Sequence, residues 1–135
     1  MYTLLWTILI STHLKEIPMG LSTHVLDTMN GCPAAGMQVA LYTTQGEQAS
    51  LVKRFTLNHD GRNPDGPLYD NTNLRKGTYR LVFDVCGYFK AKGVALPEPN
   101  FLNQVALDFG VAHEDQHYHV PLLVSPWSYS TYRGS

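Results

Sequence analysis

Apolar and polar side chains alternate along most of the chain, and turn residues interrupt the alternation at short intervals. Period two is the mark of strands with one buried face. Leu21–Thr28 reads as a strand with Thr23, Val25 and Asp27 on one face behind Leu21, and His24 and Leu26 on the other. Asn30-Gly31-Cys32-Pro33 is a turn cluster. Met37–Thr43 and Ala49–Leu57 alternate as two further strands. From Asn58 to Pro67, two Gly and two Pro in ten residues forbid a regular element. A short strand fits at Leu68–Tyr69, and the cleanest alternation runs over Thr78–Val85, with Tyr79, Leu81, Phe83 and Val85 facing one way. Gly87–Lys92 is the one place for a helical turn. After the Pro97-Glu98-Pro99-Asn100 block, strands are predicted over Phe101–Phe109, His117–Val124 and Tyr129–Tyr132. Seven or eight short strands with almost no helix predict an all-β sandwich.

Composition narrows the reading. At 135 residues the chain suits one domain. Its 44% apolar content is ordinary, but its 16% charged residues fall below the usual figure of about 25%. Residues 1–18 contain only Lys15 and Glu16, so the deficit belongs to the patterned part. A surface poor in charge is expected to face other subunits. A net charge of −1 provides no basic field for nucleic acid. The apolar run Met1–Ile10 is too short to span a bilayer, which takes about 20 residues, and lacks the flanks of a signal peptide. Residues 1–18 are therefore expected to be an N-terminal extension, with the domain over 19–135 and no membrane partner. Cys32 and Cys86 form no C-x-x-C motif and are expected to be free thiols, with a long-range disulfide open only to an oxidising compartment.

No nucleophile elbow, phosphate loop or dinucleotide fingerprint occurs, and no pair of catalytic carboxylates stands out. Histidine and arginine are left to carry any chemistry. Of the six histidines, His13, His59 and His113 read as surface rings. His117 and His119 flank Tyr118 on a strand and so share a face. An H-x-H of this kind can begin a zinc site, but no third ligand stands at a matching offset. Arg62 sits at a loop tip, and Arg133 near the chain end would be held only by a docked tail. A kit of His and Arg suits water activation and oxyanion stabilisation.

Two stretches carry a resemblance. Leu21-Ser22-Thr23-His24-Val25-Leu26-Asp27-Thr28, with Gly31-x-Pro33-Ala34 after it, resembles the opening of the transthyretin-like family. His117-Tyr118-His119-Val120-Pro121-Leu122-Leu123-Val124 and the ending Tyr132-Arg133-Gly134-Ser135 resemble its close. His24, Arg62, His119 and the Tyr-Arg-Gly-Ser end match the 5-hydroxyisourate hydrolase branch and depart from the hormone-carrying branch. The resemblance covers Leu21 to Ser135.

It implies an eight-stranded sandwich with one short helix, and a homotetramer built as a dimer of dimers. It implies no metal and no cofactor. The implied substrate is 5-hydroxyisourate, opened by water to 2-oxo-4-hydroxy-4-carboxy-5-ureidoimidazoline in urate breakdown. By the same resemblance His24, Arg62 and His119 are catalytic, with either histidine as general base. Tyr132, Arg133, Gly134 and Ser135 bind substrate, and His117 stands behind them. The alternatives are a carrier without turnover and a metal-dependent hydrolase on His117-x-His119. The expected location is the cytoplasm, with periplasm and peroxisome left open by the family.

Overall fold

The computed structural model describes residues 20–134. The expected N-terminal extension, residues 1–18, and the expected site residue Ser135 lie outside them. Among the described residues, eight strands form two four-stranded sheets. The first sheet is ordered β2-β1-β7-β8, with β1 at Leu21–Asp27, β2 at Cys32–Pro33, β7 at Tyr118–Val124 and β8 at Tyr129–Thr131. The second is ordered β4-β3-β5-β6, with β3 at Gln38–Gln45, β4 at Gln48–Thr56, β5 at Gly77–Phe83 and β6 at Val105–Val111. Among the described residues one helix, α1, spans Val85–Ala91. No helix among the described residues is long and apolar enough to cross a membrane.

The predicted faces hold where they matter for the core. Along β1 the buried positions are Leu21, Thr23, Val25 and Asp27. Leu41, Leu81, Phe83 and Leu122 meet them between the sheets with no exposed surface. Each such side chain contributes roughly 1.5–3 kcal/mol by leaving water. The far end of β1 is fixed by a buried carboxylate. Asp27 accepts from the Asn30 amide nitrogens at 2.9 and 2.7 Å and from the Tyr88 hydroxyl of α1 at 2.8 Å. Burial pushes the Asp27 pKa up, but these donors outweigh it and the net shift is downward. Cys32 and Cys86 are free thiols, with Cys86 buried and Cys32 half-buried.

Four segments differ from the sequence expectation. Val85 ends no strand, because the Asp84 carboxylate accepts from the Gly87 N–H at 3.1 Å and starts α1 there. The strand expected from Phe101 begins only at Val105. The Leu102 carbonyl is already taken by the Asn100 side chain at 3.0 Å, and the Asn103 carbonyl by the Cys86 N–H at 2.9 Å. These local hydrogen bonds hold the segment outside the ladder, and Phe101 is left 78% exposed. Cys32–Pro33, expected as turn, pairs briefly with Leu26 and Asp27. Leu68–Tyr69 contributes a single bridge to Leu21 instead of a strand.

Candidate functional site

The first sheet turns its polar face outward, and the pairing of β1 with β7 determines what gathers there. The pair is parallel, with Ser22 opposite His119 and His24 opposite Pro121. Because side chains alternate, Ser22, His24 and Leu26 share the outer face with His119, Pro121 and Leu123. His24 and His119 are both half-buried.

Arg62 reaches this face through a loop that Asn58 organises. The Asn58 side-chain oxygen accepts from the Asp60 and Arg62 N–H groups at 2.9 and 3.1 Å. Its backbone N–H donates to the Arg62 carbonyl at 2.8 Å. Gly61 then lies against β1, accepting from the Val25 N–H at 2.9 Å. Only glycine fits there: its φ is +74°, and a Cβ would lie 2.5 Å from the Val25 carbonyl oxygen. This docking brings Arg62 into a bridge with His24.

The last described residues return along β7. Thr131 donates through its hydroxyl to the Pro121 carbonyl at 2.8 Å, and the Gly134 N–H donates to the His119 carbonyl at 2.7 Å. A Cβ on Gly134 would lie 2.9 Å from His119 Cδ2, so the tail presses against the histidine ring. The Arg133 guanidinium is 4.0 Å from the Tyr118 ring centroid and donates to Gln116 Oε1 and the His117 carbonyl, both at 3.1 Å. Tyr118 points toward the core, and Arg133 above its ring lines both a cleft between the edge strands β6 and β8 and a pocket with Gln116, His117 and Gly134. Tyr132 lines the β6–β8 cleft, whose volume is about 310 Å³.

Of the expected residues, His24, Arg62, His117, His119 and Gly134 are therefore brought together. Arg133 and Tyr132 flank them along the tail. Ser22, Asn58 and the Asp60 carbonyl are contributors that sequence reasoning passed over. Among the described residues no three His, Cys, Asp or Glu side chains converge as metal ligands.

The electrostatics favour neutral imidazoles. For His119, burial lowers the pKa, and Arg62, His117 and His24 lower it further. For His24, burial and then Arg62 lower it, against an opposing hydrogen bond and charge from Asp60. His117 is lowered by burial and by Arg133. A neutral histidine beside a permanent cation can take a proton from water while the cation stabilises the oxyanion that forms.

The chain is similar to several known proteins. The chain is 55% identical over 119 residues to the 5-hydroxyisourate hydrolase of Pseudomonas aeruginosa, covering 87% of this chain and 94% of that one. Among solved structures it resembles (S)-allantoin synthase with a TM-score of 0.80 and 46% identity, over 89% of this chain and 45% of that longer one. It also resembles Klebsiella pneumoniae 5-hydroxyisourate hydrolase with a TM-score of 0.70 and 29% identity, over 87% of this chain and 99% of that one. The family model described as HIUase/Transthyretin matches residues 21–134, so both sheets and the histidine face lie within the match, and the chain belongs to that family.

Proposed function

We propose that the protein hydrolyses 5-hydroxyisourate to 2-oxo-4-hydroxy-4-carboxy-5-ureidoimidazoline, a step of urate breakdown. The observation that carries this reading is the convergence of His24, Arg62 and His119 from three distant segments on one outer face, where Arg62 helps to hold both imidazoles neutral. The names of the relatives support the same substrate.

In this reading one of the two histidines takes a proton from water as its oxygen attacks a ring carbonyl. The carbonyl oxygen gains negative charge, and Arg62 stabilises it. The ring C–N bond then breaks, and the nitrogen receives the proton that the histidine had taken. Arg133, clamped on Tyr118, holds the tail so that Gly134 borders the substrate. Leu123 and Tyr132 give it walls.

The site is open in one chain. Leu26, Pro121 and Leu123 lie around the histidines on the outer face of the first sheet. A homotetramer, formed as a dimer of dimers, would cover that face with a second copy and account for the low share of charged residues.

The test is direct. Freshly generated 5-hydroxyisourate decays slowly in buffer, and its ultraviolet absorbance reports the decay. Added protein should accelerate it in proportion to enzyme concentration. Binding without acceleration would make the protein a carrier and defeat the proposal. Sedimentation velocity should give a tetramer, and a monomer at micromolar concentration would remove the assembly from it.

A further inference from the structure

His117 and His119 lie nearly parallel on the outer face of β7, with ring centroids 6.3 Å apart and planes inclined by 27°. Between them stands the hydroxyl of Ser22 on β1. It is 2.8 Å from His119 Nδ1 and 3.3 Å from His117 Nε2. The parallel register that sets Ser22 opposite His119 makes this contact possible. β1 thus lends two polar side chains to the face, His24 and, two residues earlier, Ser22.

A hydroxyl has one proton to donate, so the chain His119–Ser22–His117 has only two consistent directions. In one, His119 carries its proton on Nδ1 and donates to Ser22, and Ser22 donates to His117 Nε2. His119 Nε2 then holds a lone pair. In the other, Ser22 donates to His119 Nδ1, and the proton of neutral His119 occupies Nε2, where it blocks that atom as a base. Once His119 has accepted a proton from water, both of its nitrogens carry hydrogen, and only the first direction survives. The chain stops at His117, whose Nδ1 is buried without a partner among the described residues. The arrangement therefore orients His119 without draining its proton.

We propose that Ser22 and His117 are positioning residues for His119: the Ser22 hydroxyl, with His117 Nε2 as its acceptor, holds His119 in the Nδ1–H form and leaves Nε2 as the general base. This rests on the hydrolase reading and extends it to the choice between the two candidate bases. In hydrolases with a Ser-His-Asp triad a carboxylate takes the place behind the base. A neutral serine–histidine pair orients the ring equally well, but adds no negative charge that would raise its pKa. His24, Arg62 and His117 all face His119, and all three lower its pKa.

Two measurements decide the matter. Nitrogen-15 NMR of the imidazoles of the full chain, above pH 7, should show His119 with its proton on Nδ1. This is read on the wild-type protein and needs no variant to fold. Predominance of the Nε2–H form would overturn the proposal. In kinetics, Ser22→Ala should lower kcat about 10- to 100-fold, the usual cost of removing such an orienting partner, with KM nearly unchanged. Ser22→Thr, which keeps the hydroxyl on a strand-compatible side chain, should restore most of the loss. A Ser22→Ala enzyme with wild-type kcat, or a Thr variant as impaired as the Ala variant, would overturn it. If the wild-type protein fails to accelerate hydroxyisourate decay, the hydrolase reading falls, and the NMR result still decides the orientation of His119.

Discussion

The outer faces of the two sheets are built from the same alternation and serve opposite ends. On the second sheet polar outward positions pair with one another, beside exposed Leu51 and Val52 on β4. Arg80 and Asp108 form a bidentate pair at 2.6 and 3.3 Å across β5 and β6, and Thr44 and Thr78 exchange a hydrogen bond at 2.7 Å across β3 and β5. These groups satisfy one another and leave nothing poised. On the first sheet the outward positions of β1 and β7 are Ser22, His24, Leu26, His119, Pro121 and Leu123, without one carboxylate among them. Arg62, from a loop that bridges to His24, brings a cation that lowers the pKa of both His24 and His119, against Asp60 at His24. The contrast teaches that solvent exposure alone does not select the polar residues of a strand. A paired charge solvates a face. An imidazole kept neutral beside a guanidinium leaves it reactive.

The sharpest break of this contrast is removal of an imidazole. His119→Asn and His24→Asn should each lose about 10²- to 10⁴-fold in kcat/KM while remaining folded, as circular dichroism and sedimentation would report. Near-normal turnover in both would mean that the first face is as inert as the second. Arg62→Gln should cost about 10²- to 10³-fold in kcat. It also removes a cation that lowers the pKa of both His24 and His119, so the acid limb of the pH–rate profile should move toward neutral.

In the wild type that limb should lie below 6.5, the ordinary imidazole value, because both pKa values are lowered. The same sign holds for stability. Below pH 6.5 the unfolded chain binds more protons than the folded one at His24, His117 and His119. Their contribution is therefore complete above that pH and is lost as the pH falls toward the folded pKa values, which urea titrations at a series of pH values would detect.

A smaller effect should follow at the tail. Gly134→Ala places a Cβ against His119 and should reduce kcat by about tenfold to 10²-fold through misplacement of the ring, with little change in melting temperature. Smallest of all, Arg80→Ala or Asp108→Ala on the second sheet should leave kcat unchanged and barely move the melting temperature. A clear loss of activity in either would show that the two faces are coupled.

Much of this was legible in the sequence. The buried and outward positions of β1 and β5 follow from alternation alone, and the residue types His24, Arg62 and His119 pointed to one chemistry. Ser22 was not legible as a contributor. A serine on the outward face of a strand looks solvated until the neighbouring strand is known, and its partner His119 stands 97 residues away. Asn58 was hidden for a related reason: its work is to fold a loop, and loops give no period to read. The strand over-read from Phe101 failed because alternation cannot reveal that the carbonyls of Leu102 and Asn103 are already committed elsewhere. The placement of Arg133 was equally silent, since it depends on the ring of Tyr118 beneath it.

The parallel pairing of β1 with β7 has a consequence for how the protein comes into being. Residues 21–27 leave the ribosome early, but their hydrogen-bonded neighbours, residues 118–124, follow only after the second sheet and α1 have been made. Such long-range pairing folds slowly, and until it closes β1 presents an unpaired edge beside apolar side chains. A nascent or truncated chain lacking β7 therefore has no site at all, and it carries a sticky edge of the kind that chaperones and proteases detect. Competence for the chemistry and release from quality control are reached by the same late event.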